Sequence, residues 1–327
     1  MIEQLIIWSV RNRALVLVLA TLLTLAGTWL MDRLALDAVP DLSDVQVIIR
    51  ATHQGHAPQA VEDQVTYPLA TAMLAAPGAR AVRAYSFTGD AYIYVIFEDG
   101  TDPYWARTRV LEALGEIRER LPADARIVLG PDASGVGWIY QYALVDRTGQ
   151  HDLADLRTLQ DWFLRYELTS IAGVAEVATL GGMEKQYEVR LDPMRMERED
   201  LGYHQIRHAI ADAAQEVSGS MLEIAEAEYL LRGKGYLRGI EDIKRVPLLS
   251  RWDFSAVPRV GDIASVVEAP RARRGMAELD GEGETVGGIV VMRHGENALA
   301  TIERIEARLN ELAGSLPEGV ELSLIHI

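Results

Sequence analysis

The chain has 327 residues, 48 acidic against 32 basic side chains, a formal net charge of −16 and no cysteine. Its acidic balance excludes a nucleic-acid groove, which needs a positive surface to displace counterions from phosphate. Without cysteine there is no disulfide framework and no thiolate metal site, so soft-metal chemistry would fall to methionine sulfur or imidazole. The length suits two or three packed domains.

Residues 1–13, "MIEQLIIWSVRNR", place Ile2, Leu5, Ile6 and Trp8 largely on one helical face, the pattern of a helix lying in a membrane interface. Residues 14–31 follow without a charge. At ~1.5 Å rise per residue that run nearly crosses a ~30 Å hydrocarbon core. It is too long for the apolar core of a secretory signal, and "TWLMDRLALDA" offers no small-x-small cleavage site. Arg11 and Arg13 flank one end while Asp37, Asp41 and Asp44 crowd the other. The Lys/Arg bias keeps the N-terminus cytoplasmic and puts residues after about 32 on the periplasmic side of an inner membrane.

From Val45 the pattern turns regular. "VQVIIRA" alternates as a strand, and a helix runs from Ala57 to Leu74 with Pro58 in its first turn. "AVRAYSF" and "AYIYVIFE" are strands joined by a "TGD" turn. Asp102 caps a helix with Pro103 at its first position and a stripe of Trp105, Val110, Leu111, Leu114, Ile117 and Leu121. "ARIVLG" closes a β-α-β-β-α-β unit over 33–135, the split βαβ of ferredoxin-like folds. The order then recurs: strand "WIYQYALVD", helix "DLADLRTLQDWFLRYELTSI" and strand "VAEVATLG", resuming at "TVGGIVVMR", "NALATIERIEARLNELAGSL" and "GVELSL". The expected fold class is therefore α+β: a transmembrane helix, a first ferredoxin-like unit, and a second over 136–182 and 276–327. An α/β insertion over 183–275 splits the second unit. The last strand stops with the chain, which reads as a truncation, with "LSLIHI" as its scar.

Several long blocks, "PDLSDVQVII", "VEDQVTYPLATAML", "YVIFEDGTDPYWAR", "LGPDASGVGWIYQYALVD" and "HDLADLRTLQDWFLRYEL", closely resemble the inner-membrane pump of the resistance-nodulation-division heavy-metal efflux systems. The segment "GVGW" tilts the resemblance to the copper(I)/silver branch over the zinc/cobalt/cadmium one. The resemblance implies a proton-driven antiporter working as a homotrimer, with a periplasmic membrane-fusion adaptor and an outer-membrane channel as partners. The two ferredoxin-like units become porter subdomains and the insertion a docking subdomain. Cu(I) or Ag(I) is then the transported substrate, and no cofactor is implied in this stretch. The family's three metal-gripping methionines and its intramembrane carboxylate–lysine relay fall beyond residue 327, so the chain alone is not expected to transport.

Candidate site residues are sparse. Arg83, on the strand "AVRAYSF", borders the substrate cleft by resemblance, with a strand-face ion pair as the plainer reading. Met276 follows "PRARRG"; the copper branch carries a methionine just before "RRG", where this chain has Ala272, so Met276 is either a substitute metal contact or packing. Met194 and Met196 would share a face if extended, but read better as a packing or surface pair. His204 and His208 have i, i+4 spacing without the HExxH glutamate and read as a solvated helix face. His53 and His56 sit in "THQGHAP", a loop with no third ligand in view. "DGEGETVGG" fails as a calcium loop, with Thr285 in place of glycine and Val291 in place of the bidentate glutamate, and reads as a hairpin turn.

No Ser/His/Asp order, supported carboxylate pair or nucleotide fingerprint emerges, so an enzyme is not expected. Two other readings remain. One is a complete single-span protein with a periplasmic binding or adaptor role; the other is a drug pump of the same superfamily, which the quoted blocks disfavour.

Overall fold

The computed structural model describes residues 2–31, 43–215, 217–224, 227–233, 235–248, 257–273 and 275–325. The expectations about Asp37, Asp41 and a cleavage site after Met31 lie outside these residues. Helices Ile2–Arg11 and Arg13–Met31 open the chain. The second has 19 residues, a mean hydropathy of 2.2 and, among the described residues, nothing packed over it, so it is long and apolar enough to cross a membrane. A lipid phase is the solvent that suits it.

Strands β1 (Gln46–Thr52), β2 (Ala79–Phe87), β3 (Asp90–Phe97) and β4 (Arg126–Leu129) form one sheet in the order β2-β3-β1-β4, antiparallel at every junction. In β1 the period of two sends Val47, Ile49 and Ala51 inward and Arg50 outward. The helices over 58–74 and Pro103–Ile117 pack on the inward face, adding Val61, Val65, Leu69, Met73, Ala106, Val110 and Ile117 to the core. Asp102 accepts from the Trp105 amide at 2.7 Å, the cap its position predicts. The buried stripe of that helix differs from the expected one: Ala106, Val110 and Ile117 face the sheet, while Trp105 and Leu111 are exposed. The Trp105 ring covers Gly78 at its edge instead.

The 58–74 helix contains a π-helical turn, Glu62–Thr66, whose close is a bond from the Tyr67 amide to the Glu62 carbonyl five residues back. Pro68 follows at once. A mid-helix proline has no N–H to give the residue four back and crowds its carbonyl, and a wider turn relieves both.

A second pass begins with β5 (Trp138–Asp146), a helix over 153–169 and β6 (Val174–Gly181). The chain then makes β7 (Lys185–Leu191), β8 (Val217–Ile224), β9 (Ala227–Gly233), β10 (Ala264–Pro270) and β11 (Ala277–Glu278). It returns with β12 (Glu284–Met292), the helix Ala298–Leu312 and β13 (Val320–Ile325). β12 pairs with both β5 and β6, and β13 pairs antiparallel with β5, giving β6-β12-β5-β13, the first sheet's order again. The Tyr142 ring fills the space that Gly288 leaves open, since a Cβ there would lie 2.4 Å from it.

The chain divides into two compact units, Met1–Thr148 with Gln160–Leu180 and Gly287–Ile327, and Gly149–Leu159 with Gly181–Val286. The second is wider than the expected 183–275 insertion. The start of the 153–169 helix belongs to it through an Arg157–Gly181 carbonyl bond at 2.6 Å, a Lys185–Asp155 ion pair at 3.0 Å and the Met183 amide on the Leu153 carbonyl. Within it β7 pairs with β10, β8 with β9, and Leu201, Ile206, Ile243, Val260 and Ile263 form the core with Val266.

Candidate functional site

Among the described residues of the first unit, an open groove of about 430 Å³ lies between the 58–74 helix and the edge strand β2. Pro58, Gln59, Glu62, Thr66, Tyr67 and Ala70 supply one wall, and residues 84–87 the other. The π-helical turn sets the helical wall. At its floor the Ser86 hydroxyl donates to Thr66 Oγ1 at 2.9 Å, and Thr66 in turn donates to the Val61 carbonyl at 3.3 Å. Those hydroxyls satisfy each other, leaving the Glu62 carboxylate and the exposed rings of Tyr67, Tyr85 and Phe87 to meet a ligand. The lining holds the Glu62 carboxylate, the Gln59 amide and three aromatic rings, two of them phenols.

Arg83 is exposed on β2 opposite Tyr94, next to but outside the groove lining. No ion pair to it occurs among the described residues. Around it the sheet surface is aromatic: Tyr85 meets Tyr94 edge-on at 5.8 Å, Phe87 meets Tyr92 at 6.0 Å, and the Arg50 guanidinium lies 5.8 Å from the Tyr92 ring. Met276 is 66% exposed between β10 and β11. Among the described residues, no three His, Cys, Asp or Glu side chains gather as a metal site.

Met194 and Met196 are not in an extended segment. Asp192 accepts from the Met194 and Arg195 amides and Pro193 starts a helix, so residues two apart point away from each other. Met194 is exposed, and Met196 packs against the second unit's core. His204 and His208 are both exposed on the helix Tyr203–Ala213. Asp280, Gly281 and Gly283 take positive φ in the turn between β11 and β12, as a hairpin connection requires.

His53, read as a loop residue with no third ligand, does follow β1 outside any strand or helix, but its side chain is enclosed. It is 2% exposed, with Gln64 of the π-helical turn at its Nε2, 3.2 Å away. Sequence reasoning also missed the buried polar pair of the second pass, in which the Tyr142 hydroxyl donates to Gln160 Oε1 at 2.8 Å. Burial drives the Tyr142 phenol well above the ordinary tyrosine range, against the lowering effect of that bond and with a smaller push from Asp161. The Tyr140 phenol is raised by burial and then by Glu306. Neither tyrosine meets the groove, so both read as structural.

The sequence profile of the AcrB/AcrD/AcrF family matches residues 5–326. The cation efflux system protein CusA of Escherichia coli (strain K12) is 53% identical over 323 residues, 98% of this chain and 31% of that protein. SilA of Salmonella typhimurium is 51% identical over the same share of this chain. The cobalt-zinc-cadmium resistance protein CzcA of Cupriavidus metallidurans is 30% identical over 333 residues. A crystal structure of a heavy metal efflux pump superposes with a TM-score of 0.84 at 30% identity, covering 96% of this chain and 31% of that one. The chain thus spans about a third of the length of these relatives.

Proposed function

The chain belongs to the AcrB/AcrD/AcrF family, and from that premise we propose that it is the amino-terminal part of an inner-membrane pump exporting copper(I) and silver(I). One observation carries the choice of metal: identity of 53% to CusA and 51% to SilA, against 30% to CzcA. The ions are cargo, and the activity is secondary transport driven by inward proton flow, not an enzyme reaction.

The two passes with matching strand order support ferredoxin-like porter subdomains, one over 33–135 and one over 136–182 and 276–327. The 183–275 insertion is the docking subdomain, facing a membrane-fusion adaptor and an outer-membrane channel. Three copies complete the pump. The exposed Arg11 and Arg13 before the Arg13–Met31 span support a cytoplasmic N-terminus and periplasmic subdomains. In this reading Arg83 lines the entry cleft, and Met276 is a candidate contact for the soft ion, since both side chains are exposed.

The test is a chimera in which residues 5–325 replace the matching stretch of E. coli CusA in a strain lacking that pump. Restored growth on copper and silver salts supports the reading. Tolerance restored only to zinc and cadmium, or to organic drugs, contradicts it.

A further inference from the structure

His53 follows β1 with its ring enclosed and an oxygen within 3.5 Å of each ring nitrogen. Nε2 lies 3.2 Å from Gln64 Oε1. Nδ1 lies 3.5 Å from Asp124 Oδ1, in the loop before β4, and has no hydrogen-bond partner. That distance exceeds the ordinary N–H···O range. A neutral imidazole has one N–H and one lone pair, so with its N–H on Nε2 toward Gln64 Oε1 the Nδ1 lone pair faces the Asp124 carboxylate; the imidazolium donates on both sides. On the ring face His56 stacks at 3.6 Å with the planes 7° apart, its Nδ1 3.1 Å from the Gln54 carbonyl. Two imidazolium rings at that separation would repel each other.

We propose that His53 is a proton-operated latch: a second proton on its ring closes the Nδ1–Asp124 contact and ties the loop before β4 to the π-helical turn that carries Gln64. The charged and titratable neighbours are Asp124, the stacked His56 and, at the adjoining ends of β1 and β3, the Arg50–Asp90 pair at 3.2 Å, onto which Thr52 also donates. The latch acts on the groove because the same turn supplies Glu62 and Thr66 to its wall, and the segment after His53 leads into Pro58 and Gln59. His53 is held in place along this path as well: its amide donates to the Gly89 carbonyl, and the Gly89 amide donates to the His56 carbonyl. Acidification on the periplasmic side would therefore fix one wall of the groove, a response separate from any proton passage through membrane helices.

The experiment is imidazole ¹⁵N NMR of the full chain in detergent micelles, scanned over the histidine range of ~pH 8 to 5, with His53→Gln used to assign the His53 signals. On acidification the latch requires His53 to carry protons on both nitrogens while His56 stays neutral. In Asp124→Asn, an exposed position whose replacement leaves the core intact, the second proton must be lost at the same pH. The proposal is overturned if His53 keeps a single proton throughout the scan. It is equally overturned if His53 gains the second proton to the same extent in Asp124→Asn.

Discussion

The Tyr142 hydroxyl donates a 2.8 Å hydrogen bond to Gln160 Oε1 inside the first unit, and the Gln160 amide nitrogen finds no partner there. A buried polar pair of this kind stabilises only while it stays paired. Tyr142→Phe removes the donor and leaves the Gln160 oxygen stranded, at a cost of about 1–3 kcal/mol. Urea unfolding of the chain in micelles should show a lower midpoint with an unchanged slope.

The same phenol makes stability fall at alkaline pH. Burial raises its folded pKa above the ~10 of an unfolded tyrosine. The contribution is complete below ~10 and is lost as pH rises above it, because the unfolded chain releases that proton first. Unfolding midpoints between pH 9 and 11 should therefore drop more steeply in the native chain than in Tyr142→Phe.

Gly288→Ala should be worse than either. The added Cβ would meet two ring carbons and the hydroxyl oxygen of Tyr142 between 2.4 and 2.7 Å, and β12 is a central strand of its sheet. The cost should exceed the ~1–3 kcal/mol typical of overpacked cores. The double variant Gly288→Ala, Tyr142→Ala should recover part of the loss, which equilibrium unfolding can measure.

Asp102→Ala removes the cap on the helix Pro103–Ile117, leaving the Trp105 amide without its 2.7 Å acceptor. The expected loss is ~0.5–2 kcal/mol. Asp102→Asn should keep most of the stability, since its side-chain oxygen still accepts, and thermal melts of the two variants separate the cases.

Local signals carried much of this fold. The alternation in β1, the Asp102–Pro103 start and the twofold β-α-β-β-α-β order were all legible, because each depends on near neighbours. The same Asp–Pro signal at Asp192–Pro193 announced a helix, yet Met194 and Met196 were weighed as if extended. Strand order was not legible, because pairing β1 between β3 and β4 depends on long-range contacts. Pro68 in "VTYPLA" marked the π-helical turn for a reader who asked what a mid-helix proline requires. His53 gave no such mark. Gln64 and Asp124 reach its ring nitrogens only through the fold, and the segment itself reads as an ordinary polar loop. The groove was missed for a related reason: its walls are a helix and an edge strand whose proximity only the fold creates.

The most direct measurement of the central claim is cation accumulation in inverted inner-membrane vesicles bearing the CusA chimera with residues 5–325 of this chain. With a proton gradient imposed, radiolabelled silver(I) should accumulate in the vesicle lumen and leak back when the gradient is collapsed. Accumulation of zinc or cadmium in place of silver, or none of any metal from a correctly inserted chimera, would contradict the account.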